Sequence, residues 1–111
     1  MKDYNFISMT QIIEQNKSEL AEICRRYRVS RLDVFGSAAA GDFDEQTSDI
    51  DLLVEFDLSV TQNRFDNFFA LHDELQKLFD RSVDLVEPGG LDNPYFIESI
   101  NQTRKKIYAA S

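Results

Sequence analysis

Asp49 and Asp51 stand two residues apart in Ser48-Asp49-Ile50-Asp51-Leu52-Leu53-Val54. Their acids alternate with apolar residues, which is the pattern of a strand with one face toward a core. On a strand, residues i and i+2 point the same way, so both carboxylates share a face with Cα atoms ~6.5–7 Å apart. Carboxylates so placed can converge on one Mg²⁺, or on two ions ~3.5–4 Å apart, the spacing of two-metal phosphoryl chemistry. A third carboxylate on a neighbouring strand would close such a site. Asp84 suits that role, as the single acid inside Val83-Asp84-Leu85-Val86. A charge within an apolar run calls for a partner or a metal.

Gly36 and Ser37 follow the strand-like segment 31–35 and precede a short helical turn over 38–41. Glycine has no Cβ, so the backbone there can approach a phosphate closely. The Ser37 hydroxyl and the amides at a helix start can donate to phosphate oxygens. An isolated Gly-Ser carries no weight. It gains weight from the order in which it occurs: strand, Gly-Ser, polar loop, then Ser48-Asp49-Ile50-Asp51 opening a second strand. Asp42 and Asp44 begin like a calcium loop, but Thr47 stands where that loop requires glycine, so they read as solvated turn residues.

These groups must be positioned by a small set of elements. Helical spacing runs from about Thr10 to Tyr27, with Asn16 and Glu19 at capping-box distance and hence a break near Asn16. Strands are expected over 31–35, 49–56 and 81–86, with Ile50, Leu52, Val54 and Phe56 facing a core and Asp84 pointing away from Val83 and Leu85. Ser59 or Thr61 is placed to cap the next helix, whose stripe of Phe65, Phe68, Phe69, Leu75, Leu78 and Phe79 is expected to pack as core. His72, the only histidine, lies near that stripe and reads as a helix-edge packing residue. Asp92 or Asn93 followed by Pro94 starts a last helix carrying Tyr95, Phe96, Ile97 and Ile100. Residues 106–109 form a short strand or trail off.

Bulk properties narrow the function. The 111 residues suit one domain spanning 1–111, and the 42% hydrophobic content supports a globular core. Cys24 is alone, so no internal disulfide forms; this fits a reducing cytoplasm, and the residue reads as a small buried side chain. No apolar run reaches the ~20 residues that span a membrane, and MKDYNFISMT lacks the apolar stretch of a signal peptide. A cytoplasmic protein is expected. The net charge of −8 disfavours nucleic acid, whose phosphates need Lys and Arg, and favours a protein or small-molecule partner. Arg25, Arg26, Arg28 and Arg31 read as a solvated helix end, or else as a surface for an acidic partner or phosphate.

Together the motifs resemble a known family. Val34-Phe35-Gly36-Ser37-Ala38-Ala39-Ala40-Gly41, followed by Ser48-Asp49-Ile50-Asp51-Leu52-Leu53-Val54, resembles the signature of the polymerase-β-like nucleotidyltransferase superfamily. Arg81-Ser82-Val83-Asp84-Leu85-Val86 looks like its third-aspartate strand, and Asn93-Pro94-Tyr95-Phe96 with Ile107-Tyr108 looks like the close of the minimal (MNT) branch. The likeness runs from Ile12 to Tyr108. It implies an α/β (α+β) fold, a short mixed β-sheet with helices packed mainly on one side. It further implies that Asp49 and Asp51 bind both of two Mg²⁺ ions, and that Asp84 completes the ion nearer the incoming hydroxyl and accepts its proton. Gly36 and Ser37, with Ser48, would bind the nucleoside triphosphate.

Proteins of this branch and size are commonly antitoxins that transfer AMP from ATP to a tyrosine of a HEPN-family RNase toxin. That function is the leading expectation. The chain departs from many relatives in having Ala38-Ala39-Ala40 where they carry arginines, and Arg31 or Arg104-Lys105-Lys106 are the candidate substitutes. The departure motivates an alternative, a module that neutralises its partner by binding alone. A small-molecule transferase is the third reading, although such relatives usually add a domain to shape the acceptor pocket. A homo-oligomer is compatible with all three.

Overall fold

In a computed structural model of the chain, residues 9–36, 49–90 and 92–110 are described. Among these residues four helices and four strands occur in the order α1 (Met9–Gln15), α2 (Lys17–Arg26), β1 (Val29–Phe35), β2 (Ile50–Phe56), α3 (Arg64–Phe79), β3 (Val83–Val86), a 3₁₀ turn (Pro88–Gly90), α4 (Pro94–Thr103) and β4 (Lys105–Ala109). The strands form one sheet in the order β3-β2-β1-β4. β1 is antiparallel to both β2 and β4, whereas β2 and β3 are parallel. This is the mixed sheet that the sequence led us to expect.

Alternation along the strands assigns the two faces. Leu32 and Val34 of β1, Ile50, Leu52 and Val54 of β2, and Val83 and Leu85 of β3 form one apolar layer. Ile12 of α1, Leu20, Ile23 and Cys24 of α2, and Leu71, Leu75 and Phe79 of α3 cover it. Each such side chain contributes ~1.5–3 kcal/mol when fully buried. Among the described residues the opposite face carries α4, whose Ile100 packs with Phe35, Leu53 and Val86. Three of the described helices therefore lie on one side and one on the other.

Several local expectations hold, and others need correcting. The first helical stretch does break at Asn16. Its side chain makes no cap, however; the amide Nδ2 donates back to the Ile12 carbonyl at 2.8 Å. Neither Ser59 nor Thr61 caps α3, which starts after Asn63 in the left-handed region (φ 55°). Ser59 instead closes a turn, donating its N–H to Asp57 Oδ1 at 2.8 Å and accepting from Arg28 Nη2 at 2.6 Å. Asn93 caps α4 as expected, accepting from the N–H groups of Tyr95 and Phe96, with Pro94 in the first turn. Lys105–Ala109 is a strand.

The phenylalanine stripe is the main correction on the apolar side. Phe65 is 80% exposed and Phe69 58% exposed, while Leu71 is fully buried beside Leu75 and Phe79. The buried triplet has helical i, i+4, i+8 spacing and defines the centre of the inward face, with Phe68 and Leu78 packed beside it as expected. Phe65 and Phe69 belong to the flank. Cys24 is buried as expected, and its burial pushes the thiol up to about 12 against the opposing pull of Arg25.

Candidate active site

The C-terminal end of β1 and the N-terminal ends of β2 and β3 meet at one edge of the sheet. Phe35 is opposite Asp51, and Asp51 is opposite Asp84. The parallel pairing of β2 with β3 thus places two of the three candidate carboxylates side by side. Asp49 lies just before β2, exposed to solvent. Asp51 is half-buried and Asp84 exposed. Burial, followed by the charges of Asp84 and then Asp49, holds the Asp51 carboxyl above its ordinary range. Asp51 therefore senses both of the other acids and is the centre of the group.

Gly36 completes this edge. It has φ +71°, a region that side-chain-bearing residues rarely adopt. A Cβ built on it would lie 2.6 Å from Asp51 Oδ2. Glycine is required there both by backbone angle and by the nearness of the carboxylate. Its N–H donates to Thr103 Oγ1 at 3.0 Å, so that donor is already engaged. Ser37 and Ser48, the other nucleotide-binding candidates, lie outside the described residues, as do Ala38, Ala39, Ala40, Asp42 and Asp44.

Sequence reasoning missed two supports of the site. The first is Asp33, which is fully buried on the same face of the sheet. Arg31 Nε donates to its Oδ1 at 2.9 Å, and Arg104 reaches its Oδ2 at 2.5 Å while also pairing with Glu55 at 3.4 Å. Arg31 and Arg104, considered above as phosphate-gripping substitutes, are thus engaged in a structural network. The clue was available: Asp33 shares the odd-numbered face of β1 with Arg31 and Phe35.

The second support is a clamp from α3. His72 Nε2 donates to the Val83 carbonyl at 2.8 Å, and Gln76 Oε1 accepts the Val83 N–H at 3.1 Å. Val83 is on an edge strand, so its outward backbone groups would otherwise lack ladder partners. The residue immediately before Asp84 is therefore fixed at both its donor and its acceptor. His72 is a helix-edge residue, as expected, with this added task.

The donor set is made wholly of carboxylate oxygens, the chemistry Mg²⁺ prefers. Among the described residues no three acidic, histidine or cysteine side chains stand close enough to hold an ion unaided. Mg²⁺ usually keeps waters and substrate phosphates in its shell, and two or three carboxylates at an open edge suit that habit.

The profile of the nucleotidyltransferase domain matches residues 17–107. The chain belongs to this family. A nucleotidyltransferase of Methanocaldococcus jannaschii, described as a "putative protein adenylyltransferase", is 36% identical over 93 residues, covering 77% of this chain and 91% of that one. Among solved structures, a "putative minimal nucleotidyltransferase" aligns with a TM-score of 0.70 and 27% identity, over 92% of this chain and 98% of its own. The MNT antitoxin bound to a tri-AMPylated HEPN toxin from Shewanella oneidensis has the same fold, with a TM-score of 0.60 and 18% identity over 88% of this chain and 73% of its own. The chain is thus a nucleotidyltransferase that shares the fold of a minimal member of the family. No helix among the described residues of this nucleotidyltransferase is long and apolar enough to cross a membrane.

Proposed function

We propose that this nucleotidyltransferase transfers AMP from ATP to a protein hydroxyl, a tyrosine of a HEPN-family toxin, and so acts as its antitoxin. The observation that carries the reading is the pairing of Asp51 with Asp84 across parallel strands, with Asp49 at the same edge and Gly36 pressed against Asp51. Its likeness to protein adenylyltransferases and to an MNT antitoxin of the same fold supports the choice of acceptor.

Asp49, Asp51 and Asp84 would hold Mg²⁺, which when bound neutralises phosphate charge and lowers the pKa of a hydroxyl. The chain's own residues orient the reaction. Gly36 lets the triphosphate lie close to the acids, with Ser37 and Ser48 as its further contacts. The acceptor oxygen forms a bond to the α-phosphorus as the α–β phosphoanhydride bond breaks, and pyrophosphate leaves. The hydroxyl proton passes to a carboxylate. Asp84, exposed on the outer strand, is the carboxylate to which we assign that proton.

The test is intact-mass spectrometry of a co-purified HEPN-family partner after incubation with the protein, ATP and Mg²⁺. A gain of one or more AMP units, absent with Asp49→Asn, is expected. An unmodified partner in a stable complex would sink the transfer reading in favour of neutralisation by binding alone. One observation favours that second reading: Arg31 and Arg104 are committed to Asp33 and Glu55, not to a triphosphate.

A further inference from the structure

We infer that Thr103 is a positioning residue for nucleotide binding, acting through the backbone of Gly36. Thr103 ends α4, which packs on the aspartate face of the sheet. Its hydroxyl has one proton and two lone pairs. Ser99 O at 3.1 Å, with Ile100 O at 3.5 Å, takes the proton. A lone pair is thereby turned toward Gly36, whose N–H donates to it at 3.0 Å. The bond spans 67 positions in the chain, so it is a tertiary tie and not a local cap.

The tie matters because of where Gly36 sits. The glycine has a left-handed backbone beside the Asp51 carboxylate, and it leads into Ser37. Glycine is the residue with the most conformational freedom to lose, so such a turn is poorly fixed by its own sequence. Thr103 removes that freedom before ligand arrives. Arg104, the next residue, anchors the same chain segment to buried Asp33. A turn ordered in advance spares the nucleotide the cost of ordering it, which appears as affinity. The inference rests on the proposed reading that this turn faces the triphosphate.

Thr103→Val removes the acceptor and keeps the shape, whereas Thr103→Ser keeps the acceptor. With Mg²⁺ and the HEPN-family acceptor present, Thr103→Val should raise KM for ATP about fivefold and leave kcat within about twofold, with Thr103→Ser close to the original. Amide hydrogen exchange, read by NMR without ligand, should show Gly36 N–H protected in the original and in Thr103→Ser, and exchanging at least ~10-fold faster in Thr103→Val. Equal kinetics for the two variants, or Gly36 protection unchanged in Thr103→Val, would overturn the inference. If the original protein transfers no nucleotide at all, the proposed function fails, and the exchange experiment still decides whether Thr103 fixes the turn.

Discussion

Gly36 and Asp51 approach so closely that a single added carbon on the glycine would lie 2.6 Å from the aspartate carboxylate. The contact joins the end of β1 to the start of β2. Gly36→Ala would incur ~1–2 kcal/mol for its left-handed backbone and would also push Asp51 aside. A displacement of ~1 Å at a reacting group lowers turnover as much as 100-fold. Pyrophosphate release by Gly36→Ala is therefore expected to fall ~10- to 100-fold, with a modest drop in melting temperature. Turnover equal to that of the original would show that the contact has no part in the reaction.

Asp51 stores a measurable instability. Burial and the charges of Asp84 and Asp49 hold its folded pKa above the ordinary value of 3.8. The folded protein therefore binds more protons than the unfolded one in the window from about that value up to the raised one, and stability falls as pH rises through it. Above the window the penalty is constant. Asp51→Asn should melt a few degrees higher than the original at neutral pH without metal, and the gap should close as pH falls through the window. Mg²⁺ with nucleotide should stabilise the original more than the variant. Thermal melts at several pH values test both parts, and a variant less stable at neutral pH would refute the first.

Asp33 and Arg104 form the opposite case, a charge pair the fold depends on. Arg104 is the more enclosed of the two arginines on Asp33, at 24% side-chain exposure against 44% for Arg31. Breaking a buried pair by removing one partner costs ~3–5 kcal/mol. Arg104→Met should therefore destabilise by ~2–4 kcal/mol, the partial exposure placing it toward the lower end, and Arg31→Met by less than ~1 kcal/mol. Urea titrations of both would reveal a reversed order if the assignment is wrong.

The α3 clamp predicts a functional effect at a distance. Gln76→Leu leaves the Val83 N–H unpaired, and His72→Phe does the same for the Val83 carbonyl. Either change should loosen the start of β3 and lower Mg²⁺ affinity several-fold, with Asp84 itself intact. Calorimetric titration of Mg²⁺ in the presence of a non-hydrolysable nucleotide measures it. Unaltered affinity in both variants would confine the clamp to structure.

Much of this architecture was legible because its signals are local. Period-2 alternation around Asp49 and Asp51 and the isolated Asp84 announce strands with one acidic face, and Asn93-Pro94 announces a helix start. What escaped depends on tertiary contacts. Helical spacing favoured Phe65 and Phe69 as core alongside Leu75 and Phe79, but only the placement of α3 against the sheet exposes the first two and buries Leu71. Capping-box spacing at Asn16 and Glu19 was real, yet a nearer carbonyl took the Asn16 amide. Asp33 looked like any strand-face acid until Arg104 arrived from far along the chain.

The correction at Phe69 carries its own prediction. Phe69→Ser should cost no more than ~1.5 kcal/mol, the worth of its edge-to-face contact with Phe68, while Leu71→Ala should cost ~2–5 kcal/mol. Denaturant midpoints would distinguish them, and a large loss for Phe69→Ser would restore the phenylalanine stripe to the core.

The antiparallel pairing of β4 with β1 has a consequence for biosynthesis. The ties that fix the reactive edge, Gly36 to Thr103 and Asp33 to Arg104, span 67 and 71 positions. Contacts of such high sequence separation form late, because the intervening chain must first be brought together. On a ribosome the segment that steadies the three acids would be the last of these parts to emerge. The nascent chain would thus pass through a stage with its chemistry encoded but not yet assembled, and activity would arise abruptly once residues 103–109 dock.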